Sequence, residues 1–432
     1  MFRHSLSSAV LCLALTGLAS AAGFNIYEMG AAATAQAGAY TARSSDASAV
    51  FYNPAGIAGQ KSSFMLGTTI ITMGMEFQGD NPFPGTGYSV EAEDGLFYPS
   101  HIYYVTPFSK LENGDEVTFG LGITTHFGLG TEWPDDFLGR GSSIIAEIQT
   151  FSFNPVVAYK HDKLRVAAGV QSFYSTVDVV KNSLTALETN WIDVAKVTLE
   201  GSNSITTLGW GYNLGLQYDV HEMITVGASY RSEVKVEYEG DATFESIPGA
   251  YGHALFQRAL GTAETSVTTD VETEINYPAM MSIGVAIRPI DKLTVEVDVN
   301  QMNWSCFQEL QMRFPDELYT SLSETIPEGY EDVRSYRIGA EYMVSPAMAL
   351  RLGYLYDESP APAAAVSTLL PDADRNSYMV GLGYDFGSVV VDVSYMYLPF
   401  NDRSTEQSSH RGFDGVYSTT AHLFGLTLGY AF

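Results

Sequence analysis

The stretch Tyr378-Met-Val-Gly-Leu-Gly-Tyr-Asp-Phe386, Gly387-Ser388, Val389-Val-Val-Asp-Val-Ser-Tyr-Met-Tyr-Leu-Pro-Phe400 decides how the rest of the chain is read. Tyr378, Val380, Leu382, Tyr384 and Phe386 alternate with Met379, Gly381, Gly383 and Asp385, so large apolar side chains share one face of a strand and small or polar ones the other. Gly387-Ser388 turns the chain and a second strand returns. A long polar link then leads to a third alternating run over 416–432. There Phe424, Leu426, Leu428, Tyr430 and the terminal Phe432 alternate with Gly425, Thr427, Gly429 and Ala431. Strand, tight turn, strand, long link, strand is the unit.

The unit repeats back to about residue 62. Strands are expected near 62–78, 96–108, 114–127, 143–160, 163–180, 194–218, 222–240, 264–288, 292–308, 330–344, 347–357, 376–386, 389–400 and 416–432. Alternation alone fits a soluble sandwich as well. The links do not. Ser109–Asn113, His161-Asp162, Asp219–His221, Pro289–Asp291, Ser345-Pro346 and Gly387-Ser388 are short, whereas every link between them runs to roughly 13 to 23 residues. Long loops at one end and tight turns at the other belong to an outer-membrane barrel. The fold class is therefore all-β, a 14-stranded antiparallel transmembrane β-barrel over 62–432. An even strand number lets the sheet close, and closure is required because an open edge leaves unpaired backbone groups in hydrocarbon. Tyr103, Tyr104, Tyr159, Tyr218, Tyr238, Tyr354, Tyr356, Tyr395 and Tyr397 fall near strand ends, where interfacial aromatic girdles sit.

Composition agrees. The 432 residues carry 22 Lys+Arg against 50 Asp+Glu, 40 Gly and 27 Tyr. The 17% of charged residues is below the usual share of about 25%, and mean hydropathy is close to zero. A net charge of −28 argues against nucleic acid as a partner. Arg3 and His4 precede the apolar run Ala9–Thr16, and Ala19-Ser-Ala21 has the small-x-small form of a cleavage site, so 1–21 is expected to be a signal peptide. Its loss removes Arg3 and takes the charge from −28 to −29. Cys306 then remains alone, so no disulfide framework is expected. No other stretch has 18 consecutive apolar residues.

Residues 22–61 break the pattern. Gly30-Ala-Ala-Ala-Thr-Ala-Gln-Ala-Gly-Ala39 is made of small side chains that pack in confined space, which suits a plug inside the barrel; a periplasmic tail is the alternative. The same region opens a resemblance. Ala22-Gly-Phe24, Asp46-Ala-Ser-Ala-Val-Phe-Tyr-Asn-Pro-Ala-Gly56, Gly227-Ala-Ser-Tyr-Arg-Ser232, Asn303-Trp304, Arg351–Asp357 with Ser359-Pro360, and Pro371–Asn376 before Gly381–Tyr384 occur in that order. Together they resemble the FadL/TodX-type outer-membrane transporters of long-chain fatty acids and hydrophobic compounds. The resemblance implies a hatch over 22–61 whose motif is Asn53, Pro54 and Ala55, and an N-terminus that puts Phe24 into a lumen pocket. It also implies substrate capture between two outer loops, and a lateral opening at a strand kink, for which Gly120 and Gly122 are the candidates; ordinary tight side-chain packing around the two glycines is the alternative.

Candidate ligand contacts follow from residue type. Leu184, Leu187 and Trp191 in 182–193, and Ile247, Tyr251, Leu255 and Ala259 in 247–260, recur at helical spacing, with Phe256 and Leu260 beside the second set; two such loop helices would face each other across an apolar groove, or simply pack together. On the lumen face the alternation places Arg165, Arg231, Lys235, Arg337 and Arg351 among Glu233, Glu296, Asp298, Glu341 and Asp385. Most should form ion pairs. One Arg left unpaired could hold a carboxylate, and Arg231 is the choice. Asp135-Asp136 and Asp372-x-Asp374 are expected to be solvated loop acids rather than a metal site. Dispersed His and the lack of HExxH, Cys/His or GxSxG patterns give no enzyme reading, no cofactor and no metal. The function expected is passive outer-membrane uptake of hydrophobic molecules, long-chain fatty acids first among them, by loop capture, lumen binding and hatch rearrangement. Aromatic hydrocarbons as substrates, or a surface adhesin or phage receptor, are the alternatives. The partners expected are the hydrophobic small molecule, outer-membrane lipid and lipopolysaccharide, with the chain a monomer.

Overall fold

The computed structural model describes residues 23–187, 190–248, 250–405 and 413–432. The expected signal peptide lies outside them, as do the side chains of 184–192 and 250–251, including those of Leu184, Leu187 and Trp191. The chain forms a closed barrel of 14 antiparallel strands. These are β1 Ser63–Gly79, β2 Ser100–Lys110, β3 Glu116–Glu132, β4 Ile145–His161 and β5 Leu164–Leu187, then β6 in two pieces, Asn190–Ser202 and Gly209–His221. β7 comprises Ile224–Arg231 and Val234–Ser246, and β8 comprises Ser266–Tyr277 and Met280–Ile290. β9 is Leu293–Met302, β10 Val333–Ser345, β11 Met348–Asp357, β12 Arg375–Asp385, β13 Val389–Pro399 and β14 Gly415–Ala431. Closure is made by β1 and β14, paired from Ser63 with Ala431 to Gly79 with Gly415.

Burial is inverted relative to a soluble protein. On β12, Tyr378, Val380, Leu382 and Tyr384 are exposed, as are Phe424, Leu426, Leu428 and Tyr430 on β14, while Ala421, Leu423 and Thr427 on the other face of β14 are buried. Exposed apolar bands on a sheet closed on itself face lipid. No helix among the described residues is long and apolar enough to cross a membrane. The turns at Gly114, Asp162 and Gly387 adopt the left-handed backbone conformation that tight reversals need. Tyr354 and Tyr378 pair on the outside with ring centres 5.5 Å apart, as a girdle requires. Tyr103 and Tyr238 do not belong to it: both are fully buried and face inward.

Two one-residue breaks reset which face is which. In β7, Gly227, Ser229 and Arg231 point inward, but after Ser232-Glu233 the buried set is Val234, Val236 and Tyr238. In β8, Ile275 and Tyr277 are buried before Pro278-Ala279, and Met280 and Ser282 after it. A shift of one residue exchanges the faces of a strand. Lys235 and Glu233 are therefore outside the lumen, not within it, and Lys235 pairs with Glu237 and Glu274 at the surface. Asp385 is also exposed, at the end of β12, where its carboxylate accepts the Gly387 amide.

Residues 24–58 fill the barrel. Nearly all are buried, in two one-turn helices, Ala31–Thr34 and Ala49–Tyr52, and a short 3-10 turn, Pro54–Ile57. The side chains that wrap this segment come from all round the wall. Thr427 on β14 accepts the Ala31 amide, Tyr103 on β2 donates to Met29 O, and Arg337 on β10 donates to Ala37 O. Asp298 on β9 accepts the amides of Tyr40 and Thr41, and Glu296 accepts that of Ala42. The barrel makes room with glycine. An added Cβ at Gly215, Gly227, Gly339 or Gly353 would lie 2.3–2.5 Å from an atom of Asn53, Thr41, Gln36 or Ala37 respectively. Gly120 and Gly122 belong to this set, since a Cβ there would meet Ile57 and Val50 at 2.7–2.9 Å. They do not kink β3: each is paired on both sides, Gly120 with Val105 and Val156, Gly122 with Tyr103 and Asn154. The irregularity of β3 lies higher, where its register with β4 shifts between Thr124 and Phe127.

The outer ends are not helical throughout. In the segment 182–193, expected to be a helix, the described residues are paired strands, with Ala186 opposite Trp191 in the β5–β6 ladder. Apolar residues three and four apart satisfied a helical template, but the strand keeps its edge paired. The 247–260 segment does contain a helix, Ala250–Leu260.

Candidate functional site

The N-terminal residues are tied to the upper part of β3. Ile26 N donates to His126 O and Gly128 N donates to Phe24 O, so Phe24–Ile26 runs as a short strand along an edge that β2 does not cover. Gly23 N donates to Asp372 Oδ2 at 3.0 Å, reaching the loop between β11 and β12. That backbone path leaves the Phe24 ring one place to go, inward. It meets Phe127 at 6.3 Å, Tyr277 at 5.7 Å, Trp304 at 4.6 Å and Phe307 at 5.7 Å, all edge-on. Phe173 and Tyr330 complete the cluster. Edge-on contacts set the positive rim of one ring against the negative face of the next, worth about 0.5–1.5 kcal/mol a pair beyond burial.

Below this cluster is a cavity lined by Asn25, His126, Phe127, Gln171, Phe173, Arg231, Ser232, Val234, Tyr277, Pro278, Met280 and Met302. It holds about 10 Å³, room for roughly one water. In this state the site is filled by the protein itself.

Arg231 is the polar feature of the cavity that matters most. It is buried, and its Nη1 donates to Asn154 Oδ1 and Gln171 Oε1 while Nη2 donates to the carbonyls of Val50 and Phe51. All four acceptors are neutral. Among the described residues no carboxylate forms an ion pair with it, whereas Arg43 pairs with Glu341, Arg351 with Glu341 and Asp392, and Arg375 with Asp357. A buried cation without a counter-charge is costly. Arg337 is the other such case on the lumen face; it lies over the Tyr27 ring at 4.0 Å and away from the cavity.

Sequence reading missed a second polar feature. Thr150, Ser175, Tyr238 and Tyr277 join their hydroxyls in one network at 2.7–3.0 Å, with Tyr277 also touching Phe24. Tyr238 and Tyr277 point inward because of the breaks in β7 and β8. The Pro278 and Ser232 positions were the available signal.

The motif residues sit at the floor. Asn53 Nδ2 donates to Thr41 O and to Leu216 O on β6, its Oδ1 accepts the Ala55 amide, and Pro54 starts the 3-10 turn. One side chain thus joins two parts of the segment and the wall. Elsewhere in the segment Glu28 is buried with no ion pair among the described residues; burial pushes its carboxyl up, opposed by Arg337 and Arg375.

The structure does not bring Leu255, Phe256 and Leu260 to this site. Phe256 is fully buried under its helix among Val197, Leu199, Phe244, Met312 and Phe314, with Leu255 and Leu260 partly buried beside it. They lie above β6 and β7, and packing accounts for them. Asp372, expected to be a solvated acid, is buried: it accepts from Gly23 N and Ser359 Oγ and has Arg375 at 3.8 Å.

A barrel filled by its own N-terminal segment, with Phe24 in an aromatic lumen cluster, can now be set against known proteins. The profile of the outer membrane protein transport proteins (OMPP1/FadL/TodX) matches residues 12–432. The chain belongs to this family. A long-chain fatty acid transport protein of Escherichia coli O6:H1 is 26% identical over 444 residues, 98% of this chain and 97% of that one. Among solved structures, a Pseudomonas aeruginosa FadL homologue superposes with a TM-score of 0.82 at 19% identity, covering 95% of this chain and 100% of that one. The Pseudomonas putida toluene transporter TodX gives 0.70 at 17%, covering 94% and 98%. These likenesses carry the fold. With the barrel they place this family member in the outer membrane of a Gram-negative cell.

Proposed function

We propose that the chain takes up long-chain fatty acids passively through the barrel, and that the lumen cavity binds the substrate. The carrying observation is Arg231: a buried guanidinium that lines an otherwise largely apolar cavity and lacks a carboxylate partner. A fatty-acid carboxylate would supply the missing charge, and Arg can bind it bidentately. The acyl chain would take the place of the Phe24 ring. Burying a Phe side chain is worth about 1.5–3 kcal/mol and a methylene about 0.8, so roughly two to four methylenes offset the displaced ring. Long chains exceed that and short ones do not. Because Arg231 also holds the carbonyls of Val50 and Phe51, a carboxylate competing for its donors would release the Ala49–Tyr52 helix. Binding would in this way loosen the hatch, residues 22–61, through which substrate then passes. The relatives named as long-chain fatty acid transport proteins support the same reading.

Loop capture by Leu184, Leu187 and Trp191 opposite Leu255, Phe256 and Leu260 is part of this proposal, and requires the Ala250–Leu260 helix to lift off the cluster in which Phe256 is buried.

A second reading, uptake of aromatic hydrocarbons, draws on the ring-lined wall around Phe24 and on the likeness to a toluene transporter. Uptake of labelled oleate, toluene and a small sugar by cells with and without the gene separates the readings. Gene-dependent oleate uptake supports the proposal, toluene uptake alone supports the second reading, and equal uptake of all three contradicts both.

A further inference from the structure

The wall treats its inward arginines in two ways. Arg351 meets the carboxylates of Glu341 and Asp392, and Arg375 meets that of Asp357. Arg231 is held instead by two side-chain amides. Its Nη1 donates to Gln171 Oε1 at 2.8 Å and to Asn154 Oδ1 at 3.3 Å. The other end of each amide is also occupied: Gln171 Nε2 donates to Ser232 O at 3.3 Å, and Asn154 Nδ2 donates to Val170 O at 2.9 Å. Gln171 and Asn154 are both buried.

The backbone shows why amides stand at both places. The β4–β5 ladder has no pair between Phe153–Ser172 and Val156–Gly169, and Pro155, which falls in that gap, has no N–H to give. The Asn154 side chain supplies a donor to Val170 O there. Ser232 sits at the break in β7, and Gln171 supplies a donor to its carbonyl. Each amide thus faces a carbonyl that needs a donor and a guanidinium that needs an acceptor. Gln and Asn offer one of each, whereas an ionised carboxylate offers acceptors alone. The outcome is a guanidinium that is hydrogen-bonded without being neutralised. Among the residues lining the cavity none is acidic.

We infer that Gln171, together with Asn154, sets the charge selectivity of the cavity: the two amides hold Arg231 as an uncompensated cation, so the site takes single-chain anions in preference to neutral molecules of the same size. Both act through Arg231 and are positioning residues. A carboxylate at position 171 would pair with Arg231 as Glu341 pairs with Arg351, and an anionic headgroup would then meet a neutral pair. A neutral ligand needs no counter-charge and would be indifferent to the change. The inference rests on the cavity binding acyl carboxylates.

Gln171→Glu and Gln171→Met separate charge from hydrogen bonding. Both remove the donor to Ser232 O, but only the first adds an anion beside Arg231. Purified barrels, checked for folding by circular dichroism, are titrated with oleate and with oleyl alcohol, which differ in the headgroup alone. Gln171→Glu should weaken oleate roughly 10- to 100-fold and change oleyl alcohol less than about threefold, while Gln171→Met keeps most of the oleate affinity. Asn154→Asp puts the same charge on the other amide and should give the same pattern, which keeps the test open if Gln171→Glu does not fold. Undiminished oleate affinity in the folded acidic variant would overturn the inference. So would equal oleate losses in Gln171→Glu and Gln171→Met, or equal losses of both ligands in Gln171→Glu. If the unsubstituted protein does not bind oleate, the fatty-acid reading of the cavity falls and the inference with it, a distinguishable failure.

Discussion

Arg231 donates to the carbonyl oxygen of Phe51 at 2.7 Å and holds its guanidinium carbon 4.9 Å from the centre of the same residue's ring. Wall and lumenal segment are joined at a cation with no carboxylate partner among the described residues. Arg231→Gln keeps some donors and removes the charge. A charge-assisted hydrogen bond is worth about 1.5–3 kcal/mol, so oleate affinity should fall roughly 10- to 100-fold while toluene uptake is undiminished. Titration of both ligands on the purified variant checks this; an equal loss for both would mean that the arginine only supports the fold.

Asn53→Ala deletes donors to Thr41 O and Leu216 O and the acceptor for Ala55 N. Each buried group left unpaired costs about 1–3 kcal/mol. Amides of residues 39–58 should exchange with deuterium at least 10-fold faster, with those of β12–β14 unchanged. Exchange that rises uniformly across the barrel would assign Asn53 to global stability.

The glycines of the wall predict a positional pattern. Gly353→Val would drive a side chain into Ala37 N, 2.4 Å from the added Cβ, whereas nothing lies within 4 Å of that at Gly74. Planar-bilayer recordings should show a raised basal conductance for Gly353→Val and none for Gly74→Val. Matching conductances would show that the segment tolerates displacement.

Asp372 gives a pH dependence. Burial raises its pKa, opposed by Arg375, Ser359 and the Gly23 amide, with Asp357 adding to the rise. A folded-state pKa above the unfolded value of about 4 contributes stability that is complete below about 4 and lost as pH rises through the raised value. Docking of Gly23 and Phe24 should therefore loosen with rising pH across that window. Emission from Trp304, the other three tryptophans being replaced, reports it. Asp372→Asn should flatten the titration; an unaltered curve would place the titrating group elsewhere.

Much of this was legible in the chain. Tyr378–Phe400 shows the lipid face, the turn and the returning strand, because period-two alternation survives wherever one side meets hydrocarbon. Phe24, Arg231 and Asn53 were found through residue type or resemblance, and the structure places them in the lumen. The breaks at Ser232-Glu233 and Pro278-Ala279 left only the weak signal of Ser232 and Pro278, since alternation on either side of a one-residue slip looks regular while its meaning reverses. This sent Lys235 to the wrong face and hid Tyr238 and Tyr277. For Gly120 and Gly122 the sequence left a kink and tight packing both open, and the structure shows the packing. Their cause is Val50 and Ile57, brought against them by the tertiary fold rather than by anything in β3.

The central claim, that substrate crosses only when the lumenal segment yields, is tested by pinning it. An added Cβ at Gly120 would lie 2.8 Å from Val50 Cγ2, so Gly120→Cys with Val50→Cys, in a Cys306→Ser background, can tie the Ala49–Tyr52 helix to β3. Uptake of labelled oleate is measured in cells carrying this variant, oxidised and then reduced. The account predicts that oxidation lowers uptake to the level of cells without the gene and that reduction restores it. Undiminished uptake through the oxidised barrel would contradict it.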